Sequence, residues 1–176
     1  FNEHETSHYC KKIMSALGLD IYQNDDMKTG FYCDYGNGNG PTIAVRCDLD
    51  ALPIQEINKV DYCSLNSGVS HACGHDAHTS SLLGTLRILN ELKEEWEGSI
   101  KFIFQPAEEM LPGGAQQMIK EGVLKDPEVN IIIAQHVFPD LEVGKVGFCS
   151  GKYMASTDEL HIIVKGEGGH AALPDK

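Results

Sequence analysis

Ile100-Lys101-Phe102-Ile103-Phe104-Gln105-Pro106-Ala107-Glu108-Glu109 runs from an apolar stretch directly into two adjacent carboxylates. A short apolar run of this kind reads as a buried strand, and Pro106 fixes its exit. The same pattern recurs on both sides of it. Thr42 to Asp48 is strand-like and closes on Asp48 and Asp50, and Asn130 to Ala134 is a buried-type strand that leads to His136. Gly30 to Tyr35 reads as a further strand, followed by a turn over Gly36-Asn37-Gly38-Asn39-Gly40-Pro41. Helix-period segments lie between and before these runs. Glu5 to Leu17 carries Tyr9, Ile13 and Leu17 at helical spacing, with Gly18 placed to end it. A second helix, capped by Asp76, runs through Leu92 with Leu82, Leu83, Leu86 and Leu89 as apolar positions, and a third covers Ala115 to Leu124. Strands alternating with helices predict an α/β fold with a mostly parallel sheet flanked by helices on both faces. Ligands of such sheets bind beyond the carboxyl ends of the strands. Asp48, Asp50, Glu108, Glu109 and His136 all fall there.

The character changes near Ser156. Asp158 to Val164 reads as a strand, followed by Gly166-Glu167-Gly168-Gly169-His170, so a second domain is expected to begin here. The chain opens on Phe1-Asn2-Glu3 without Met and stops at Pro174-Asp175-Lys176, which reads as a fragment from which a signal peptide could have been lost. Its 176 residues and 41% hydrophobic content suffice for one ordinary core. No run is long and apolar enough to span a membrane. A net charge of −12 argues against nucleic acid or an anionic membrane as partner, since both call for basic patches. Cys10, Cys33, Cys47, Cys63 and Cys149 are scattered and read as buried reduced thiols, which suits a cytoplasmic location.

Cys73 differs because of its neighbours. Ser70-His71-Ala72-Cys73-Gly74-His75-Asp76-Ala77-His78 packs one thiol, three imidazoles and a carboxylate into nine residues. Thiolate and imidazole are the ligands a borderline-soft divalent ion prefers. Cys73 and His75, two apart, reach one metal from a loop but not from a regular helix face. His71 and His78 read as residues that orient loops and touch no metal. Of the adjacent Glu108 and Glu109, one can coordinate while the other faces a bound water; a solvated surface pair is the plain alternative. His136 is either a ligand or a core histidine satisfied by a backbone carbonyl. Asp50 either holds a ligand imidazole in place or serves the turn before Pro53. His4, His8 and His161 read as surface or packing residues. Together the motifs point to metal-assisted hydrolysis.

Five segments carry a resemblance. They are Ala44 to Ile54 (AVRCDLDALPI), His71 to His78 (HACGHDAH), Phe104 to Glu109 (FQPAEE), Gln135-His136-Val137, and Gly166 to Pro174. In this order, and over nearly the whole chain, they resemble the M20 metallopeptidase family, specifically its amidohydrolase branch of N-acyl-amino-acid, hippurate and auxin-conjugate hydrolases. The resemblance implies a zinc-peptidase-like catalytic domain over residues 1–155 and the start of a smaller α+β lid or dimerisation domain over residues 156–176. It implies two divalent metal ions, manganese or zinc foremost and cobalt or nickel as alternatives. Cys73, His75, Glu109 and His136 match metal ligands, with Cys73 bridging, and Glu108 matches the general base. Asp50 matches a carboxylate behind the ligands. His170 matches a lid histidine that, in a homodimer, reaches the partner subunit's active site and stabilises the oxyanion. The family's remaining ligand histidine lies outside this sequence, so the chain alone is expected to be inactive. Ser70, Gln135 and Asp175 stand where the branch usually has Met, an apolar residue and His, departures that bear on specificity. The implied reaction is hydrolysis of the amide bond of an N-acyl amino acid by metal-activated water. Alternatives are a dipeptidase or aminopeptidase of the same fold, a non-catalytic metal-binding or dimerisation module, and a Cys73 nucleophile indifferent to chelators.

Overall fold

The alternating runs of the sequence form four strands, β1 (Phe31–Gly36), β2 (Thr42–Asp48), β3 (Ser99–Gln105) and β4 (Ile131–Ala134), in one sheet of order β1-β3-β2-β4. The computed structural model describes residues 1–156 and 158–173. β2 runs parallel to both β3 and β4, whereas β1 is antiparallel to β3. The sheet is therefore mixed, though mostly parallel. The turn after β1 explains the exception: a parallel crossover takes a dozen or more residues, and Asn37 to Pro41 is far too short for one. β1 must reverse into β2, and β3 inserts between them.

Side-chain alternation divides the core in two. Phe31, Cys33, Cys47, Phe102 and Phe104 face one side and pack with Cys10 and Met14 of α1 (His4–Ala16) and with Leu82 and Leu86 of α2 (His75–Glu91). Phe31 and Phe104 are cross-strand partners whose rings stack at 4.5 Å. Ala44 and Ile103 face the other side with Met27, Val123 and Met118, the last from α3 (Gly114–Lys120). Helices cover both faces, as the sequence predicts.

Several local expectations are corrected. The buried stripe of α1 is Ser7, Cys10 and Met14, and Tyr9 is 63% exposed. Ile13 is half-buried and Leu17 packs against the same core, so of the three expected positions Tyr9 alone is exposed. α2 begins at His75 with Gly74 as its N-cap, so Asp76 lies in the first turn and His75 on the helix, not in the loop. α3 stops at Lys120: Gly122 is left-handed (φ 83°), and its N–H and that of Val123 bond back to Ile119 and Met118. β4 forms, but all four of its residues are exposed, since it is an edge strand with no described helix packed on it. Cys63 is half-buried and Cys149 exposed, contrary to expectation, although all six cysteines are free.

The chain divides into two compact units, Phe1–Phe138 and Pro139–Lys176. The first holds the sheet and all three helices. In the second, the described residues carry no helix or strand, and the strand expected over Asp158 to Val164 is not formed. Among the described residues no neighbour offers it a ladder partner and no lid domain is seen. Asp175 and Pro174 lie outside the described residues. Among the described residues no helix is long and apolar enough to cross a membrane.

Candidate metal centre

Parallel pairing sets the carboxyl ends of β2, β3 and β4 side by side, and α2 starts at the same edge. The β2–β3 pairing continues past the strands through Leu49 N–H to the Gln105 carbonyl at 2.9 Å, delivering Asp50 into the crevice. Asp50 then serves two loops. Its Oδ1 accepts the His75 Nδ1 proton at 3.1 Å and its Oδ2 accepts the Glu109 N–H at 2.9 Å. Burial works against the charge on Asp50, but these hydrogen bonds outweigh it and hold its pKa down at about 2.

The loop bearing Glu108 and Glu109 is fastened a second time. Ala107 is buried with a left-handed φ of 45°, and its N–H donates to Glu3 Oε1 at 3.0 Å. Glu3 Oε2 accepts from the Thr29 hydroxyl at 2.5 Å. On the other side, a Cβ at Gly114 would lie 1.9 Å from the Pro106 carbonyl oxygen, so only glycine lets α3 start against this loop.

Three imidazoles meet here, and their partners fix their tautomers. His75, 1% exposed, gives its Nδ1 proton to Asp50, which leaves a lone pair on Nε2. That Nε2 is buried without a hydrogen-bond partner, 3.8 Å from Glu109 Oε1 and 3.7 Å from Asp48 Oδ2. His136 gives its Nδ1 proton to the Val137 carbonyl at 2.7 Å, leaving the Nε2 lone pair 3.3 Å from Cys73 Sγ. His78 is different. Its Nε2 accepts the Val137 N–H at 2.9 Å and its Nδ1 donates to Asp48 Oδ1 at 2.7 Å, so both nitrogens are used.

The donor atoms of Cys73, His75 and His136 lie within 4.8 Å of one another, and so do those of His75, Glu108 and Glu109. A divalent cation fits this set: thiol, two imidazoles with outward lone pairs, and carboxylates. It would also satisfy the orphaned His75 Nε2, a buried polar atom that is otherwise costly. Asp48, His75 and His78 are equally close, but His78 has no lone pair to give. Burial, together with Glu109, Glu108 and Asp48, pushes the Cys73 thiol up to about 11. A nucleophilic cysteine needs the opposite shift, whereas an adjacent cation would offset this one. Burial opposes charge on His75, yet the Asp50 hydrogen bond and the charges of Asp48 and Asp50 prevail and raise its pKa.

Cys73, His75, Glu108, Glu109, His136 and Asp50 are thus brought to one sheet edge. His170 belongs to the second unit, where it is exposed and its Nδ1 accepts the Ala172 N–H at 3.2 Å. Sequence reading missed Glu3, which gives no local signal. It also missed the Arg46–Asp48 ion pair (2.8 Å), which the shared strand face of residues two apart could have suggested.

A mostly parallel α/β sheet with a thiol, imidazole and carboxylate cluster beyond its strand ends has the architecture of a zinc-peptidase-like catalytic domain. The sequence pattern of Peptidase family M20/M25/M40 matches residues 44–172, and the chain belongs to that family. Within it the similarity is to the amidohydrolase branch. N-acetylcysteine deacetylase of Bacillus subtilis (strain 168) is 42% identical, over 99% of this chain and 46% of that protein. N-acyl-L-amino acid amidohydrolase of Geobacillus stearothermophilus is 41% identical, over 99% and 46% respectively. The crystal structure of Bacillus subtilis YxeP, described as a dinuclear metal binding peptidase from the M20 family, superposes with a TM-score of 0.76 at 41% identity. That match covers 82% of this chain and 40% of YxeP. The chain thus spans under half the length of these relatives.

Proposed function

We propose that the protein carrying this chain hydrolyses the amide bond of an N-acyl amino acid. One observation carries the reading: the unpartnered Nε2 lone pair of His75 and the Nε2 lone pair of His136, which faces the Cys73 thiol, converge beside Glu108 and Glu109. The deacetylase and amidohydrolase relatives supply the substrate class. Cys73, His75, Glu109 and His136 would hold two divalent ions, manganese or zinc foremost. Such ions, when bound, act as Lewis acids and make a water acidic enough to ionise near neutral pH.

The chain's own residues then divide the work. Glu109 is anchored by its backbone to Asp50 and turned toward His75. Glu108 is exposed, and its side chain makes no hydrogen bond to protein among the described residues, so it can face the attacking water. It takes a proton as the water oxygen adds to the amide carbonyl carbon, and returns it to nitrogen as the C–N bond breaks. Motif position supports two further parts of the reading, His170 as an oxyanion donor to a partner subunit and a homodimer formed through residues from 156 onward. Free thiols support a cytoplasmic location.

The test is an assay of the full-length protein on N-acetyl and N-benzoyl amino acids alongside dipeptides, following free amine. Activity on acyl amino acids should vanish with chelator and return with metal. Glu108→Gln should lose about 10²–10⁴-fold in kcat with its metal content unchanged. Wild-type turnover in that variant would remove Glu108 from the mechanism. Activity on dipeptides alone would favour the peptidase reading, for which the description of YxeP speaks.

A further inference from the structure

His78 closes the cysteine- and histidine-rich segment and lies among donor atoms spaced for a metal, yet in the sequence it reads as a residue that orients a loop and touches no metal. Its hydrogen bonds show what it holds instead. The Val137 N–H can only donate, so the His78 Nε2 that receives it at 2.9 Å carries the lone pair and spends it there. The ring proton therefore sits on Nδ1, 2.7 Å from Asp48 Oδ1. The other Asp48 oxygen accepts Arg46 Nη1 at 2.8 Å, and Arg46 Nε donates to Gln105 Oε1 at 2.9 Å. Every link in the chain Gln105–Arg46–Asp48–His78–Val137 has its partner. It runs from β3 through β2 and α2 to the segment after β4, tying together all three strand ends that carry the site. His78 and Asp48 are each 1% exposed.

The segment after β4 needs such a tie. Ladder pairing of β4 ends at Arg46↔Ala134, and β4 is an exposed edge. Among the described residues, the bond to His78 is the backbone's one hydrogen bond from residues 135–138 to the rest of the unit. We propose that His78 is a positioning residue, a clamp on the His136–Val137 peptide that keeps His136 Nε2 facing Cys73 and His75. This rests on the reading of His136 as a metal ligand. His75 and His78, three apart on the first turn of α2, thus divide two tasks: one offers its Nε2 outward, the other uses its Nε2 to hold a neighbour's backbone.

The experiment compares His78→Gln, whose amide oxygen can still accept from Val137, with His78→Leu, which fills the space and accepts nothing. Both are made in the full-length protein, and zinc or manganese stoichiometry and affinity are measured by competition with a chelator. Long-range ¹H–¹⁵N spectra of the wild type report the His78 tautomer. Both variants should take up the wild-type number of ions at saturation. His78→Leu should bind about 10–100-fold more weakly, the usual cost of losing a group that orients a ligand, and His78→Gln should recover most of that loss. The wild-type spectrum should show the Nδ1–H tautomer with and without metal. Loss of one ion at saturation in His78→Gln, or wild-type affinity in His78→Leu, would overturn the clamp. Should His78→Leu fail to fold, the stoichiometry of His78→Gln and the wild-type tautomer decide, an Nε2–H tautomer counting against it. None of these readouts uses hydrolysis, so a protein that binds metal but cleaves no N-acyl amino acid sinks the proposed function and leaves the clamp standing.

Discussion

Asp50 orients the His75 imidazole with one oxygen and the Glu109 backbone with the other, so one carboxylate sets the geometry of both proposed ligands. An amide cannot do both, because its NH₂ would face one of two N–H donors. Asp50→Asn should therefore weaken metal binding about 10–100-fold with far-UV circular dichroism unchanged, and wild-type affinity in chelator competition would refute this role. The pH dependence has a definite sign. The carboxyl of Asp50 titrates at about 2 in the fold, against about 3.9 in an unfolded chain. A depressed pKa stabilises the fold fully above the unfolded value and is lost as pH falls through the folded one. In the metal-free protein, the stability advantage of wild type over Asp50→Asn should shrink between about pH 4 and pH 2; urea titrations across that window check it. Asp50 was legible in the sequence because it follows a strand that ends in acids. Glu3 was not: nothing in Phe1-Asn2-Glu3 differs from a solvated helix start, and its bond to Ala107 spans 104 positions.

Among the elements, the start of α2 does most to shape the site. Gly74 is left-handed (φ 79°), and a Cβ there would come within 2.5 Å of Val137 Cγ2. Its bareness lets Cys73 turn into the helix while Val137 packs close enough to reach His78. Gly18, with nearly the same φ of 77°, has nothing within 4 Å of its would-be Cβ, and so serves as a control. Gly18→Ala should cost about 1–2 kcal/mol of left-handed strain and leave metal affinity alone. Gly74→Ala should cost more than that in urea titration and also weaken metal binding by displacing Val137; equal effects from the two would refute the close-packing argument. The sequence disclosed that a helix follows the Cys–His segment, because leucines recur at helical period. It did not disclose that His75 is the first helical residue, since Asp76 is the stronger cap by type and only the backbone of Gly74 decides. Likewise the spacing in α1 did not disclose that Ser7, Cys10 and Met14 are its most buried residues, which depends on a sheet assembled from residues 31–105. The burial expected of β4 failed for the same kind of reason: an apolar run records what a strand can pack against, not what covers it.

At the scale of the whole first unit, the site sits at one end of a core that apolar side chains build. Cys73 is in neither hydrophobic cluster; one packs α1 and α2 on the sheet, the other α3 on the opposite face. A structural metal site replaces a core and the protein unfolds without its ion, whereas a catalytic site sits on a fold that stands by itself. The sheet here is held by β2–β3 pairing over seven residues and by stacked Phe31 and Phe104, contacts made between backbone groups and apolar rings that do not involve an ion. Chelation of the full-length protein should accordingly abolish activity while leaving the far-UV spectrum unchanged. The metal-bound form gains only the linkage term, about 2.7 kcal/mol at a free-metal concentration of 100 Kd. The melting temperature should fall on chelation in proportion to that term and recover when metal is restored. If chelated protein instead lost its secondary structure, the cluster would be holding the fold together, and the non-catalytic metal-binding module would displace the hydrolase.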